Sequence, residues 1–323
     1  MPLGILDYSQ TSISREMIAA LTENEVFLAR QYVLDEEQLA DLVSTGQVTA
    51  GVLIPPNFQE QINRDSTAEI QVFIDGVDAN TAGIASGYIS QIVNHFVQDQ
   101  QPLPQAANLP IINPEVTFLY NPGLRSSWFF VPGMIGVVLT LTGSLVSAVT
   151  VVKEKDSGTL EQLLMTPAAG WEILLAKIAP LFVLLMGDVG LALGVARGVF
   201  QVPFQGSLLL FFTLSGLYIS VGIGVGILLA TISANQQQAV LTSFFFNLPL
   251  VQLSGAIAPI ESMPDIFRYG SLINPLRHYI TCARGILLKG VGISVLWPHI
   301  LALLVIGGAL LSISTMLFRK QLN

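Results

Sequence analysis

The sequence predicts an α-helical polytopic membrane domain of five spans plus a re-entrant hairpin, preceded by an N-terminal α/β soluble domain. Three observations carry that reading. Of 323 residues, 52% are hydrophobic and 11% charged, with a mean hydropathy of +0.64, a composition that suits a membrane protein better than a soluble globule. Apolar stretches of about 20 residues or more recur after Pro122, and at ~1.5 Å per residue each can cross a ~30 Å hydrocarbon core. The net charge of −8 is uneven: about two thirds of the acids precede Pro122, while the remainder is nearer balance. No basic stripe exists to neutralise phosphates, which excludes nucleic acid as a partner. Cys282 is the only cysteine, so no intrachain disulfide can form.

Residues 1–121 read as the soluble domain and its linker. Short apolar runs at 3–6, 48–54 and 70–74 suit strands; the last two are rich in β-branched residues and end at Pro55 and at Asp75–Gly76. Helical patterns with cap signals lie between and after them. Ser14 precedes Met17, Ile18 and Leu21; Asp35 precedes Leu39 and Leu42; Asp78 opens a helix over 79–98 with Ile84, Tyr88, Ile92 and Phe96 on one face. Residues 100–122 carry five prolines and read as a linker. His95 has no partner at ligand spacing, so no metal is expected.

Residues 122–323 read as the membrane domain, with spans at 128–152, 171–196, 207–232, 240–260 and 296–318. Trp128, Trp171 and Trp297 sit near span ends, where aromatic belts form. Gly222 and Gly226, four apart, mark a face for close helix packing. Asp188 lies deep in its span, where a charge costs about 2.5–3.5 kcal/mol; it either lines a pathway or binds a cation, or else it pairs with Arg197 or is protonated. The fourth span holds Asn247, Pro249, Gln252 and Gly255 and is followed by Pro259 and Pro264. Such residues at membrane depth demand replacement hydrogen bonds, so 256–279 reads as a re-entrant hairpin or outer cap.

Between the first two spans stands a charged segment, residues 153–167, KEKDSGTLEQLLMTP. Ser157 can cap a helix, Glu161 falls in its first turn, Leu160, Leu163 and Leu164 share a face, and Pro167 stops it. An amphipathic helix held at the membrane surface is a docking element for a soluble partner.

Residues 154–163 of that segment resemble the E-(R/K)-x-x-G-T-L-E-x-L loop of type-2 ABC exporter permeases. Residues 274–290 resemble the family's N-P…R-G-I-x-L-K-G stretch, and residues 2–7, 46–58 and 70–88 resemble its large extracytoplasmic domain. The resemblance implies that 153–167 is a cytoplasmic coupling helix that touches an ABC-type ATPase subunit through Glu154, Gly158, Thr159, Glu161, Leu164 and Pro167. Pathway or hairpin roles fall to Asp188, Asn247, Pro249, Pro259 and Pro264 from their charge, amides and prolines at membrane depth, and the resemblance adds Asn274 and Arg284. No GxxxxGK[ST] phosphate cradle occurs, so the chain is not itself the ATPase; ATP and Mg belong to the partner, and no cofactor is expected here.

The implied protein is a bacterial inner-membrane permease, in contact with lipid, working as a homodimer or beside a closely related permease. It would export a lipophilic or amphipathic, drug- or antibiotic-like substrate. The alternatives are a sodium-type ion exporter of the same superfamily and a surface receptor or secretion scaffold anchored by its spans. Span parity sets 153–167 and the C-terminus on one side and the acidic domain on the other. Arg268, Arg277, Arg284 and Lys289 oppose the positive-inside count, so the cytoplasmic placement of 153–167 follows from the ATPase having to reach it. The family pattern has six spans, so a first helix is expected ahead of Pro2.

Overall fold

The structure is a computed structural model that describes residues 1–23, 26–64, 67–99, 112–156, 170–260 and 263–322. The chain divides into two compact units, Met1–Ser126 and Ser127–Asn323.

The first unit is a five-stranded sheet: β1 (Pro2–Asp7), β2 (Leu28–Tyr32), β3 (Ala50–Ile54), β4 (Ala68–Asp75) and β5 (Ile112–Leu119), in the order β2-β1-β3-β4-β5. Neighbours are parallel except β3 and β4. Four helices accompany it: α1 (Ser12–Thr22), α2 (Glu36–Ser44), α3 (Phe58–Asn63) and α4 (Ala79–Asp99). All five residues of β3 are buried, as expected of a central strand covered on both faces. On one face Leu3, Ile5, Val52, Ile54, Ile70 and Val72 pack with Met17, Leu21, Ile89 and Val93 from the helices. On the other, Leu6 and Leu53 meet Leu39 of α2. Gly4 and Gly51 are register partners beneath that leucine, and a Cβ on either would lie 2.9 Å from its Cδ1.

The caps correct and refine the sequence reading. Thr11, not Ser14, is the N-cap of α1; Ser14 sits three residues on and closes a reciprocal capping box with it. Asp35 caps α2 as expected, its Oδ1 accepting from the Gln38 amide at 2.7 Å. The buried face of α4 is Ala82, Ala85, Ile89, Ile92, Val93 and Phe96, while Ile84 and Tyr88 are 44% and 43% exposed. The small alanines face the sheet and let the helix settle on it, which a count of large apolar residues does not show.

Two strands lay outside the expected pattern. β5 falls within the proline-rich stretch read as linker: Ile112 is buried, and Val116 and Phe118 alternate with polar neighbours and pack on the core. Pro114 is tolerated because β5 is an edge strand with one partner. β2, the opposite edge, carries Arg30 and Gln31 and shows no apolar run.

The second unit is helical: α5 (Ser126–Asp156, whose first residue closes the first unit), α6 (Gly170–Gly198), α7 (Leu208–Ile232), α8 (Gln236–Gln252), α9 (Asp265–Gly270), α10 (Pro275–Arg284) and α11 (Ile293–Leu322). A π-turn, Gly285–Lys289, follows α10 and ends at Gly290, whose φ of +69° favours glycine. Among the described residues four segments are long and apolar enough to span a membrane: Ser126–Lys153, Ile178–Gly198, Leu208–Ile232 and Ile293–Ser314. The stretch 240–260 is not one helix. α8 has 17 residues, ends at Gln252, and gives way to a turn in which Gly255 adopts φ +81° ahead of Pro259. In α7 61% of the apolar window is buried, against 11% in α6, which makes α7 the helix the others pack around.

Gly51→Val should destabilise the sheet unit by about 1–3 kcal/mol through overpacking against Leu39. Gly83→Ala, on an open helix surface, should leave stability unchanged or raise it by up to ~1 kcal/mol. Thermal unfolding of the two variants distinguishes these outcomes.

Candidate functional site

The site residues expected from the sequence fall mainly in two regions: the segment after α5, and the polar contacts that tie α5, α7, α8 and α10 together. α5 has 31 residues, about 46 Å at ~1.5 Å per residue, and so outruns a ~30 Å apolar layer. It stays helical through Glu154 to Asp156. Gly158, Thr159, Glu161, Leu164 and Pro167 lie outside the described residues, as does the side chain of Glu154.

The seam between α5 and α7 is made of small residues. A Cβ on Gly226 would run into Ser147 Oγ and the Ser144 carbonyl oxygen and sit 3.0 Å from the Ala148 nitrogen, so only glycine admits this approach. Gly222 lies opposite Gly143, with an added Cβ 3.8 Å from its Cα. The expected packing face of Gly222 and Gly226 is therefore in contact with α5. Above the seam the Thr140 hydroxyl is hydrogen-bonded to the Tyr218 hydroxyl. Tyr218 stacks on Tyr279 of α10 at 4.4 Å and 11°, and the Tyr279 hydroxyl bonds Ser215 Oγ at 2.9 Å.

Asn247 of α8 is fully buried and donates from Nδ2 to Ser144 Oγ at 2.7 Å. Its Oδ1, and the hydroxyl of Ser243 one turn earlier, are buried without a hydrogen-bond partner among the described residues. Pro249 lies inside α8, where its carbonyl accepts the amide of Leu253 as the helix ends. Asn274 joins two helix ends. Its Oδ1 caps α10 through the Leu276 amide at 3.0 Å, and its Nδ2 donates to the Leu250 carbonyl of α8 at 2.7 Å. Pro264 precedes α9, and its carbonyl accepts from Phe267 and Arg268; Pro259 closes the turn after Gly255.

Arg284, at the last residue of α10, reaches α5. Its Nε and Nη2 donate to the Phe129 carbonyl at 3.2 and 3.0 Å, and its guanidinium lies 3.6 Å over the Phe129 ring. Gly133 makes room, since a Cβ there would lie 3.1 Å from the Ala256 carbonyl oxygen and 3.2 Å from Arg284 Nη2. The structure thus gathers Asn247, Asn274 and Arg284 around α5, α8 and α10.

Asp188 is not part of that group. It is half-buried on α6 and makes no hydrogen bond or ion pair among the described residues. The expected pairing with Arg197 is not formed, because nine residues along a helix place the two about 13 Å apart on opposite faces.

Several contacts escaped the sequence reading. Thr140, Ser144 and Ser147 recur at helical spacing on α5, a small-residue stripe that could have been matched to Gly222 and Gly226. His278 and His299 meet with Nδ1 atoms 2.9 Å apart, while His278 Nε2 lies 2.8 Å from the Leu272 carbonyl. A carbonyl only accepts, so His278 carries hydrogen on Nε2 and takes the His299 hydrogen on Nδ1. No spacing signal announces that pair.

The model of the ABC-2 family transporter protein matches residues 1–316. The chain belongs to this family. It is 31% identical over 326 residues to the inner membrane transport permease YhhJ of Escherichia coli (strain K12), covering 100% of this chain and 86% of that protein. It is 29% identical over 322 residues to the probable multidrug ABC transporter permease YbhR of the same organism, covering 99% and 86%. With a second such permease, YbhS, the identity is 32% over 260 residues, covering 79% and 68%. Family and apolar helices together make the chain a multi-pass membrane protein with an ABC permease role.

Gly226→Leu should break the α5–α7 seam at a cost of about 3 kcal/mol and sharply reduce recovery of folded permease. Gly194→Leu, with open space around its Cα, should not. Yield and monodispersity in detergent report the difference.

Proposed function

We propose that the chain is the membrane subunit of an ATP-driven exporter of lipophilic or amphipathic, drug-like molecules. In this reading a separate ABC-type ATPase, holding ATP and Mg, docks on residues 153–167. Two permeases, alike or closely related, form the transporter, with the sheet unit extracytoplasmic and the C-terminus cytoplasmic. α8 serves as a short fifth span, and the segment from Gly255 to Asn274 is a hairpin dipping into the outer leaflet.

The observation that carries the reading is the continuity of α5. It leaves the apolar layer without a break and delivers a charged segment that matches the family's docking loop. Closure of the ATPase subunits would push on that segment, and the rigid helix would carry the push to its seam with α7. A shift of that kind needs contacts that differ between the two states, which the ATPase supplies. Membership of the family and the names of its multidrug relatives favour an amphipathic cargo over an ion.

Glu161→Arg reverses one charge in the docking segment. The variant should insert normally, yet lose co-purification with the ATPase and about tenfold or more of ATP-dependent transport, the equivalent of ~1.4 kcal/mol of docking energy. Undiminished co-purification and transport would contradict the docking assignment.

A further inference from the structure

β1 and β2 are parallel neighbours joined through α1, so both strands end on the same edge of the sheet. Ligands of open α/β sheets collect outside the carboxyl ends of the strands where the strand order reverses, here beside β1. Here the chain turns sharply after β1. Asp7 Oδ1 accepts from the amides of Ser9 and Gln10 at 2.9 and 3.0 Å, and its Oδ2 accepts from Ser14 Oγ at 2.7 Å. Gln10 takes φ +50°, an uncommon conformation for a residue with a side chain. Between the strand ends and α1 this leaves a cleft of about 550 Å³, within the range of small-molecule sites.

The lining is unlike ordinary surface. Its floor is apolar, with Ile5, Ile18, Ala19 and Val33. Tyr8, Tyr32 and Leu34 line it as well and are 45%, 68% and 83% exposed, three large side chains left wet beside one depression. Arg15 Nε donates to the Thr11 carbonyl at 3.1 Å, which steadies the side chain. Its terminal nitrogens and the two phenol hydroxyls have no partner among the described residues. The Asp7 carboxylate is taken up by its own loop, which leaves Arg15 as the donor-only group bordering the apolar floor, beside the two phenols, Gln10 and Thr22, with Glu23 as a second carboxylate.

We propose that this cleft is a binding site for a small aromatic amphipath with an acceptor head group, such as a sulfonate or carboxylate. The apolar body covers the floor beside Tyr8 and Tyr32, and the head group takes hydrogen bonds from Arg15 and the phenols. The site belongs to the sheet unit alone and does not rest on the direction of transport or on the docking of the ATPase.

The test uses the full-length permease in detergent with Ala19→Cys in the cleft, and 1-anilinonaphthalene-8-sulfonate as the probe. Alkylation is read peptide by peptide, with buried Cys282 as an internal reference. The probe should slow alkylation of Ala19→Cys saturably, by about tenfold, and leave Glu60→Cys on the exposed α3 untouched. Adding Arg15→Gln should raise the half-protecting concentration about tenfold, with each rate scaled to that of the same variant without probe, and an unchanged thermal unfolding transition shows that the sheet unit is intact. No protection, equal protection at both positions, or indifference to Arg15→Gln would each overturn the proposal.

Discussion

The amide of Asn274 holds two interrupted helices at once, and the rest of the membrane unit depends on that kind of substitution. Hydrocarbon offers no water to a broken backbone, so each freed carbonyl or amide left unpaired costs about 1–3 kcal/mol or more. Asn274 takes the Leu250 carbonyl where α8 ends and covers the Leu276 amide where α10 begins. Arg284 adds two donors to the Phe129 carbonyl and so ties the end of α10 to α5. With these groups satisfied, the chain between α8 and α10 can turn, carry prolines and still pack against the helices. Gly133 allows the turn and the guanidinium to reach α5 together.

A second constraint is closeness. Gly226 brings α7 against α5 with only the Ser147 hydroxyl between them, and Gly222 faces Gly143. Small residues let the two backbones approach closely, so the α5–α7 contact is one of main chain against main chain. That matters for the proposed mechanism, in which the cytoplasmic end of α5 receives the push. The same seam carries the polar side chains Thr140, Ser144 and Ser147, and through them contact with Tyr218 and Asn247. Buried Asn247 Oδ1 and Ser243 Oγ remain without partners among the described residues, a polar spot inside the helices that a water or a cargo group can fill.

Much of this was legible in the residues because the signals were chemical and local. Apolar length located four spanning helices, glycine spacing located the seam, and amide and proline residues at membrane depth located the broken backbone. What escaped was set by tertiary packing. The interior face of α4 is built on alanines, which a search for large apolar residues passes over. β5 hid behind Pro114, harmless only because the strand lies at an edge that the sequence does not identify. The 240–260 stretch read as one span on hydropathy, whereas Gly255 and its positive φ divide it. Arg284 was marked by resemblance alone; its partner, 155 residues earlier, was not. The His278–His299 contact had no local signal at all.

The central claim is that this chain, together with an ATPase, moves amphipathic molecules out of the cytoplasm. Inverted membrane vesicles that contain both subunits test it most directly, since their interior corresponds to the outside of the cell. The measurement is the amount of a fluorescent lipophilic dye inside, with ATP or with a non-hydrolysable analogue. The account predicts accumulation above the equilibrium level with ATP alone, abolished when the permease is omitted. Dye that stays at equilibrium under every condition, or that leaves the vesicles when ATP is added, would contradict it.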